Sequence, residues 1–149
     1  MKERIERSAL VWHPAEDMFR LVNDIPRYPE FLPWCSDARV HERNEDRVTA
    51  SLVIAKGGIS QSFTTCNWLE HPQRIGIELV DGPFTQLQGE WRFQCLDQRA
   101  CKVILQLDFA LQGRVSRLAF GNVFSQVANT MVDAFCQRAD SIYGKKRSG

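Results

Sequence analysis

The sequence predicts one α+β domain in which a curved, seven-stranded antiparallel sheet wraps around a long C-terminal helix. The chain has 149 residues, of which 44% are hydrophobic and 25% charged, as expected for a single globular domain over residues 1–149. Short β-rich segments fill the middle of the chain. Apolar residues at helical spacing fill its end. These three observations together predict the fold.

The N-terminal region predicts a strand followed by two short helices. Residues 3–12 have the pattern of a strand. Pro14 then stands at a first-turn position with acidic residues behind it, which favours a helix that runs to about Val22. A second short helical piece is predicted over residues 28–32.

Six further strands are predicted between residues 39 and 111. Gly57-Gly58 is a two-residue hairpin signal, and reflection of the chain about it sets Leu52 opposite Phe63. The predicted strands cover about 39–44, 47–56, 59–69, 74–81, 87–96 and 100–111.

A second hairpin is predicted around Gln98. Reflection about it pairs Trp91 with Leu105 and Phe93 with Val103 on one apolar face. The other face is mostly polar, as in an antiparallel sheet with one side in water.

The segment from Ser116 to Tyr143 predicts one long amphipathic helix, since it has no proline and its apolar residues recur at helical spacing. At 1.5 Å per residue such a helix reaches about 40 Å. Seven strands about 4.8 Å apart span about 34 Å, so the helix can cross the whole sheet. This order of elements is typical of a helix-grip fold.

Composition excludes several classes of function. The 19 basic and 18 acidic residues leave a formal charge of +1, so no DNA partner is expected. No apolar run approaches the roughly 18 residues of a membrane span, and the N-terminus lacks a secretory core, which predicts a cytoplasmic protein. The five cysteines form no CxxC motif and are interpreted as small buried hydrophobes rather than metal ligands.

No catalytic constellation is visible. His13, His41 and His71 lie at predicted element ends without metal-ligand spacing, and we expect all three at the surface. The sequence has no nucleophile elbow, phosphate loop or dinucleotide fingerprint. It therefore predicts a binding protein and not an enzyme, with no catalytic residue, no metal and no required cofactor.

Two strings carry a family resemblance. They are Tyr28-Pro29-Glu30-Phe31-Leu32-Pro33-Trp34-Cys35 and Val80-Asp81-Gly82-Pro83-Phe84. With them the chain resembles the START-type coenzyme Q-binding and polyketide cyclase-like family, and within it the bacterial ribosome association toxin branch. The resemblance spans nearly the whole chain.

The resemblance implies two functions, of which the first is the main interpretation and the second is the alternative. One is a hydrophobic tunnel between sheet and helix that binds ubiquinone or a similar prenylated lipid and supports respiration. The other, for the bacterial branch, is binding to the large ribosomal subunit, which blocks its joining with the small one. The expected partners are thus a ubiquinone-like lipid, the large ribosomal subunit and, peripherally, a membrane. A polyketide cyclase-like enzyme is the third alternative.

The stretch from Tyr28 to Trp34 is the predicted rim of this tunnel, the alternative being a loop tucked over the core. Phe84 is either a gate or a plug at the core end. Apolar periodicity does not distinguish a filled core from a cavity. The predicted ligand-binding residues are Tyr28, Phe31, Leu32, Pro33, Trp34, Phe63, Phe84, Trp91, Phe93, Leu105, Val127, Met131 and Phe135.

Basic residues gather near the end of the chain. Arg138 is followed by Lys145, Lys146 and Arg147. The last three are candidate nucleic-acid-binding residues that would meet rRNA phosphates, with an affinity that falls as salt rises. A solvated tail is the alternative.

Overall fold

The computed structural model describes residues 2–111, 113 and 115–144, which form seven strands and three helical segments. The strands are β1 (Glu3–Val11), β2 (Cys35–Arg43), β3 (Arg47–Lys56), β4 (Ile59–Glu70), β5 (Arg74–Asp81), β6 (Phe84–Asp97) and β7 (Ala100–Leu111). The helical segments are α1 (Ala15–Asn23), a 3₁₀ helix (Ile25–Glu30) and α2 (Val115–Tyr143).

The strands form one antiparallel sheet in the order β1-β7-β6-β5-β4-β3-β2. Six consecutive strands form a meander, and β1 closes against β7 at one edge. α2 runs without a break past Val127. The predicted helix-grip fold is therefore confirmed.

The predicted hairpin registers are also confirmed. Leu52 lies opposite Phe63, and Trp91 lies opposite Leu105. Residues directly opposite each other in an antiparallel pair share one face of the sheet. These four side chains therefore all point to the concave face, which the helices cover.

Three predicted boundaries are wrong, and two of them fail for the same physical reason. β2 begins at Cys35 rather than at 39, and β6 begins at Phe84 rather than at 87. In each case a register shift follows the first residue of the strand, between Cys35 and Asp37 and between Phe84 and Gln86. Such bulges interrupt the alternation by which a strand is recognised.

The second short helix begins earlier than predicted, at Ile25 rather than Tyr28. Pro26 stands in its first turn, where the absence of an N–H costs nothing. The helix ends at Glu30, and the chain then passes through Leu32 and Trp34 into β2.

Two groups of aromatic rings, all buried except the half-buried Phe31, fill opposite ends of the space between sheet and helices. The Phe84 cluster comprises Phe63, Phe84, Phe109, Phe120 and Phe124, with ring centroids 4.7–6.4 Å apart. The Phe135 cluster comprises Tyr28, Phe31, Trp91 and Phe135, with centroids 5.2–6.1 Å apart. The two clusters therefore pack the two ends of the core.

The histidines and cysteines depart in part from expectation. His41 and His71 are exposed, but the surface position predicted for His13 is wrong, since α2 covers its ring and leaves it 1% exposed. Cys35 and Cys101 are buried as interpreted, whereas Cys95 is exposed. Cys95 lies near the β6–β7 turn, at an end of the sheet.

Candidate functional site

A cavity lies between the concave face of the sheet and α2, with the two aromatic clusters on either side of it. Phe63 and Phe124 border it at one end, and Tyr28 and Trp91 at the other. The centre of a water molecule has about 70 Å³ to move in. One water needs roughly 10–15 Å³ on this measure, so the empty space holds a few waters.

The sheet wall comes from alternate residues of neighbouring strands. β3 contributes Ala50, Leu52 and Ile54, and β4 contributes Phe63, Thr65 and Asn67. The period of two along a strand brings each set to one face. Ile77, Leu87, Trp91 and Leu107 extend this wall across β5, β6 and β7.

The helical wall comes from α2 and from the region between α1 and β2. α2 presents Phe124, Val127 and Met131, which are three and four positions apart and so share one face. Val22, Ile25, Tyr28 and Trp34 close the remaining side.

Tyr28 is fixed in this wall by its hydroxyl group. The hydroxyl donates a hydrogen bond of 2.5 Å to the carbonyl oxygen of Val22. Burial raises the pKa of the phenol well above its usual value, so Tyr28 stays neutral and presents an apolar ring face to its neighbours.

The cavity opens beside its half-buried residues. These are Leu52, Thr65, Asn67, Ile77 and Met131, whereas the rest of the wall is buried. The opening therefore lies between α2 and strands β3 to β5. Met131 is the flexible member of this rim, because its side chain is unbranched and rotates about three bonds.

Arg138 holds the segment after the 3₁₀ helix against α2. Its guanidinium lies 4.9 Å from the ring centroid of Phe31 and donates a hydrogen bond of 2.8 Å to Glu30. Its side chain is only 19% exposed. The sequence groups Arg138 with the basic residues near the end of the chain. In the structure it is instead held in place, because its guanidinium stacks on an aromatic ring.

The structure brings six of the thirteen predicted ligand-binding residues to the cavity wall and places seven elsewhere. The six are Tyr28, Trp34, Phe63, Trp91, Val127 and Met131. Of the others, Leu32, Phe84, Phe93, Leu105 and Phe135 are core residues, Phe31 is half-buried under Arg138 and Pro33 is exposed.

Phe84 resolves one alternative that the sequence leaves open. Its ring is 2% exposed and packs on Phe63, Phe109 and Phe124. It therefore plugs one end of the core and is not at the opening.

Sequence reasoning missed several wall residues. The sequence pattern could have identified Ala50, Leu52 and Ile54, because reflection about Gly57-Gly58 already places them on the face of Phe63. The pattern could not have identified Val22 and Ile25, because their position depends on how α1 packs. The basic candidates Lys145, Lys146 and Arg147 lie outside the described residues.

In the described part of the chain, no helix has the length and apolarity needed to cross a membrane. The same residues contain no group of three histidine, cysteine or acidic side chains placed to hold a metal ion.

Residues 11–136 match the family model described as polyketide cyclase / dehydrase and lipid transport. The chain belongs to this family. The resemblance that the sequence predicted is therefore confirmed.

Two curated relatives and one solved structure are similar to this chain. The chain is 51% identical to ribosome association toxin RatA of Pseudomonas aeruginosa, over 97% of this chain and 100% of that protein. It is 26% identical to the mitochondrial coenzyme Q-binding protein COQ10 of Drosophila melanogaster, over 96% of this chain and 59% of COQ10. A START superfamily protein of Mycobacterium smegmatis shares the fold with a TM-score of 0.78 at 17% identity, over 93% of this chain and 98% of that one.

Proposed function

We propose that this protein associates with the ribosome, and that it binds the large subunit and blocks its joining with the small one. The observation that carries the proposal is the 51% identity to a protein named ribosome association toxin, over nearly all of both chains. Relatives with the same name in Vibrio cholerae and Escherichia coli are 48% and 45% identical. A shared function is the simplest reason for identity spread over the whole domain.

The contact with the subunit is assigned to the basic end of the chain. Lys145, Lys146 and Arg147 are three cations within five residues of the C-terminus. Cations that neutralise RNA phosphates release counterions, so binding weakens as salt rises. By contrast, Arg20, Arg27 and Arg39 in the described region already pair with neighbouring carboxylates.

Sedimentation in sucrose gradients tests the proposal. We expect the full chain to sediment with large subunits at about 50 mM salt and to reduce subunit joining. Replacing Lys145, Lys146 and Arg147 by alanine should lower the salt slope by up to about three units, because each phosphate contact contributes nearly one.

The charge-matched control replaces Arg20, Arg27 and Arg39 by alanine and should leave the slope unchanged. An equal loss in both triple variants would show that net charge, and not the tail, governs binding. Failure of the intact protein to sediment with large subunits at low salt would remove the ribosomal role.

A second function, the binding of a ubiquinone-like lipid, is favoured by the apolar cavity and by the relation to COQ10. Burial of about 300 Å² of apolar ligand surface would contribute about 7 kcal/mol before the costs of association. Because the centre of a water molecule has only about 70 Å³ to move in, we expect such a ligand to require movement of rim side chains such as Met131.

Organic extraction followed by mass spectrometry tests this second function. We expect a prenylated quinone in the wild-type extract and its loss in Met131→Glu, since a charge would face the apolar cavity. Gln126→Glu puts the same carboxylate on an exposed position of α2 and should retain the ligand. Equal quinone content in both variants, with circular dichroism unchanged, would contradict the placement.

A further inference from the structure

Two polar side chains interrupt the otherwise apolar wall of the cavity. Thr65 and Asn67 lie two residues apart on β4, and both line the cavity. Across the strand pair they face Ala50 and Val48, so the sheet brings them into apolar surroundings. Residues in such surroundings are usually apolar as well.

A hydrogen bond between the two side chains orients the amide. The Thr65 hydroxyl donates to Asn67 Oδ1 over 3.1 Å. This contact occupies the amide oxygen and leaves the Nδ2 group, with its two N–H donors, without a partner among the described residues. Because both residues line the cavity, these donors belong to its wall.

Thr65 and Asn67 are half-buried, so water can reach these donors when the cavity holds no ligand. A ligand that enters displaces this water. If its atoms cannot accept the same hydrogen bonds, affinity is lost. A pure hydrocarbon is therefore disfavoured relative to a ligand that carries an acceptor.

The charge of the ligand is limited by the remaining wall. No Lys, Arg, His, Asp or Glu is among the residues that line the cavity in the described part of the chain. A carboxylate or phosphate would lose its hydration there without gaining a counter-charge. The wall therefore favours a neutral acceptor such as a ketone or quinone carbonyl.

We propose that Asn67, oriented by Thr65, is the residue that selects a neutral, carbonyl-bearing head group by donating a hydrogen bond from Nδ2 to its carbonyl oxygen. This inference rests on the proposed ligand-binding role of the cavity. It adds the chemistry of the head group and the residues that recognise it.

Isothermal titration calorimetry with three probes of equal tail length tests the inference. The probes are 2-decyl-1,4-benzoquinone, decylbenzene and 4-decylbenzoate, added to the full chain after removal of bound lipid. Wild-type protein should bind the quinone about three- to tenfold more tightly than decylbenzene, since one hydrogen bond contributes about 0.5–1.5 kcal/mol. It should bind the benzoate most weakly.

Asn67→Leu should remove the preference for the quinone while keeping affinity for decylbenzene. Thr65→Val should reduce the preference, because the amide is then free to rotate. The matched control is Gln88→Leu, the same loss of an amide at an exposed position on the convex face of β6, and it should keep the preference. If Asn67→Leu does not fold, Thr65→Val supplies the measurement.

The outcomes separate this inference from the proposed lipid-binding function. Binding of the quinone and decylbenzene with equal affinity by wild type, or an unchanged preference in Asn67→Leu, would overturn the role of Asn67 and leave the cavity as a ligand site. Binding of the benzoate as tightly as the quinone would overturn the preference for a neutral head. Binding of none of the probes would overturn the ligand site and this inference together.

Discussion

His13 Nε2 lies 2.8 Å from Asp140 Oδ1, and this contact joins the start of α1 to the last turns of α2. The imidazole is 1% exposed, whereas the Asp140 side chain is 43% exposed. His13 Nδ1 has no hydrogen-bond partner among the described residues. Asp140 therefore provides the one side-chain hydrogen bond that compensates for burying the ring.

Asp140→Ala is expected to lower the free energy of unfolding by about 1–3 kcal/mol, because it leaves a buried polar ring unsatisfied. Urea unfolding followed by tryptophan fluorescence measures the change. Asp133→Ala removes a carboxylate from an exposed position of the same helix and should change stability by less than about 0.5 kcal/mol. Equal losses in the two variants would contradict the role of Asp140.

Gly89 is required by the close approach of β6 and β7 at the cavity wall. A Cβ atom there would lie 2.0 Å from the carbonyl oxygen of Gln106 and 2.9 Å from Leu107 Cα. These are backbone atoms of the neighbouring strand and cannot rotate away. Gly89→Ala is therefore expected to destabilise the fold by about 3 kcal/mol.

Gly76→Ala is the matched control for that substitution, also inside a strand. The three heavy atoms nearest to its added Cβ all belong to the Arg74 guanidinium, the first at 3.1 Å, and this group is the far end of a flexible side chain. The cost should stay below about 1 kcal/mol. Thermal unfolding of the two variants compares them directly, and similar melting temperatures would show that the sheet relaxes around Gly89.

The sequence predicts the sheet register well and the cavity only in part, for physical reasons. Gly57-Gly58 fixes the position of the hairpin turn, and this turn sets Leu52 opposite Phe63. Whether an inward residue lines a cavity or fills the core depends on the helices above it. Phe93 and Trp91 share the concave face, but Phe93 is covered by Phe19 of α1 while Trp91 borders the cavity.

The sequence contains a pattern that indicates the polar pair Thr65 and Asn67 in the cavity wall. Reflection about Gly57-Gly58 sets Thr65 opposite Ala50, and therefore on the inner face. A polar residue that falls on a predicted core face is a departure from binary patterning, and such departures concentrate at functional sites.

Asp108 and Arg4 form a pH-dependent contact between β7 and β1. A hydrogen bond of 2.8 Å from Arg4 Nε, together with the charge of the guanidinium, holds the pKa of the Asp108 carboxyl below its usual value, although burial acts in the opposite direction. A carboxyl whose pKa is lower in the folded state stabilises the fold above its unfolded value of about 3.9. This contribution is lost as pH falls through the lower, folded-state pKa.

Arg4→Ala should therefore lower the melting temperature at pH 7, and the difference from wild type should shrink once the pH falls below about 4. Arg7→Ala is the control on the same strand, since the Arg7 side chain is exposed and bonds only the neighbouring Glu6 carbonyl among the described residues. Its difference from wild type should not follow this pH dependence. A constant gap for Arg4→Ala between pH 7 and 2 would contradict the coupling.

The cysteines should react with iodoacetamide at very different rates, because the thiolate is the reactive form. Burial raises the pKa of Cys35 and of Cys136 to about 11 and that of Cys101 to about 12. At pH 8 roughly one thiol in a thousand or fewer is then ionised at these positions. Cys95 is exposed and should be labelled first.

Peptide mass spectrometry of timed samples gives the rate at each cysteine. Labelling of Cys136 should rise about tenfold between pH 8 and 9, since its thiolate fraction rises tenfold per unit below its pKa. Cys35 and Cys101 are shielded by the core as well, so full labelling of these two should require urea. Cys95→Ser should remove the fastest labelling reaction and leave the rates at the other cysteines unchanged. Fast labelling of Cys101 in that variant would contradict the prediction, because it would show that the buried core opens without denaturant.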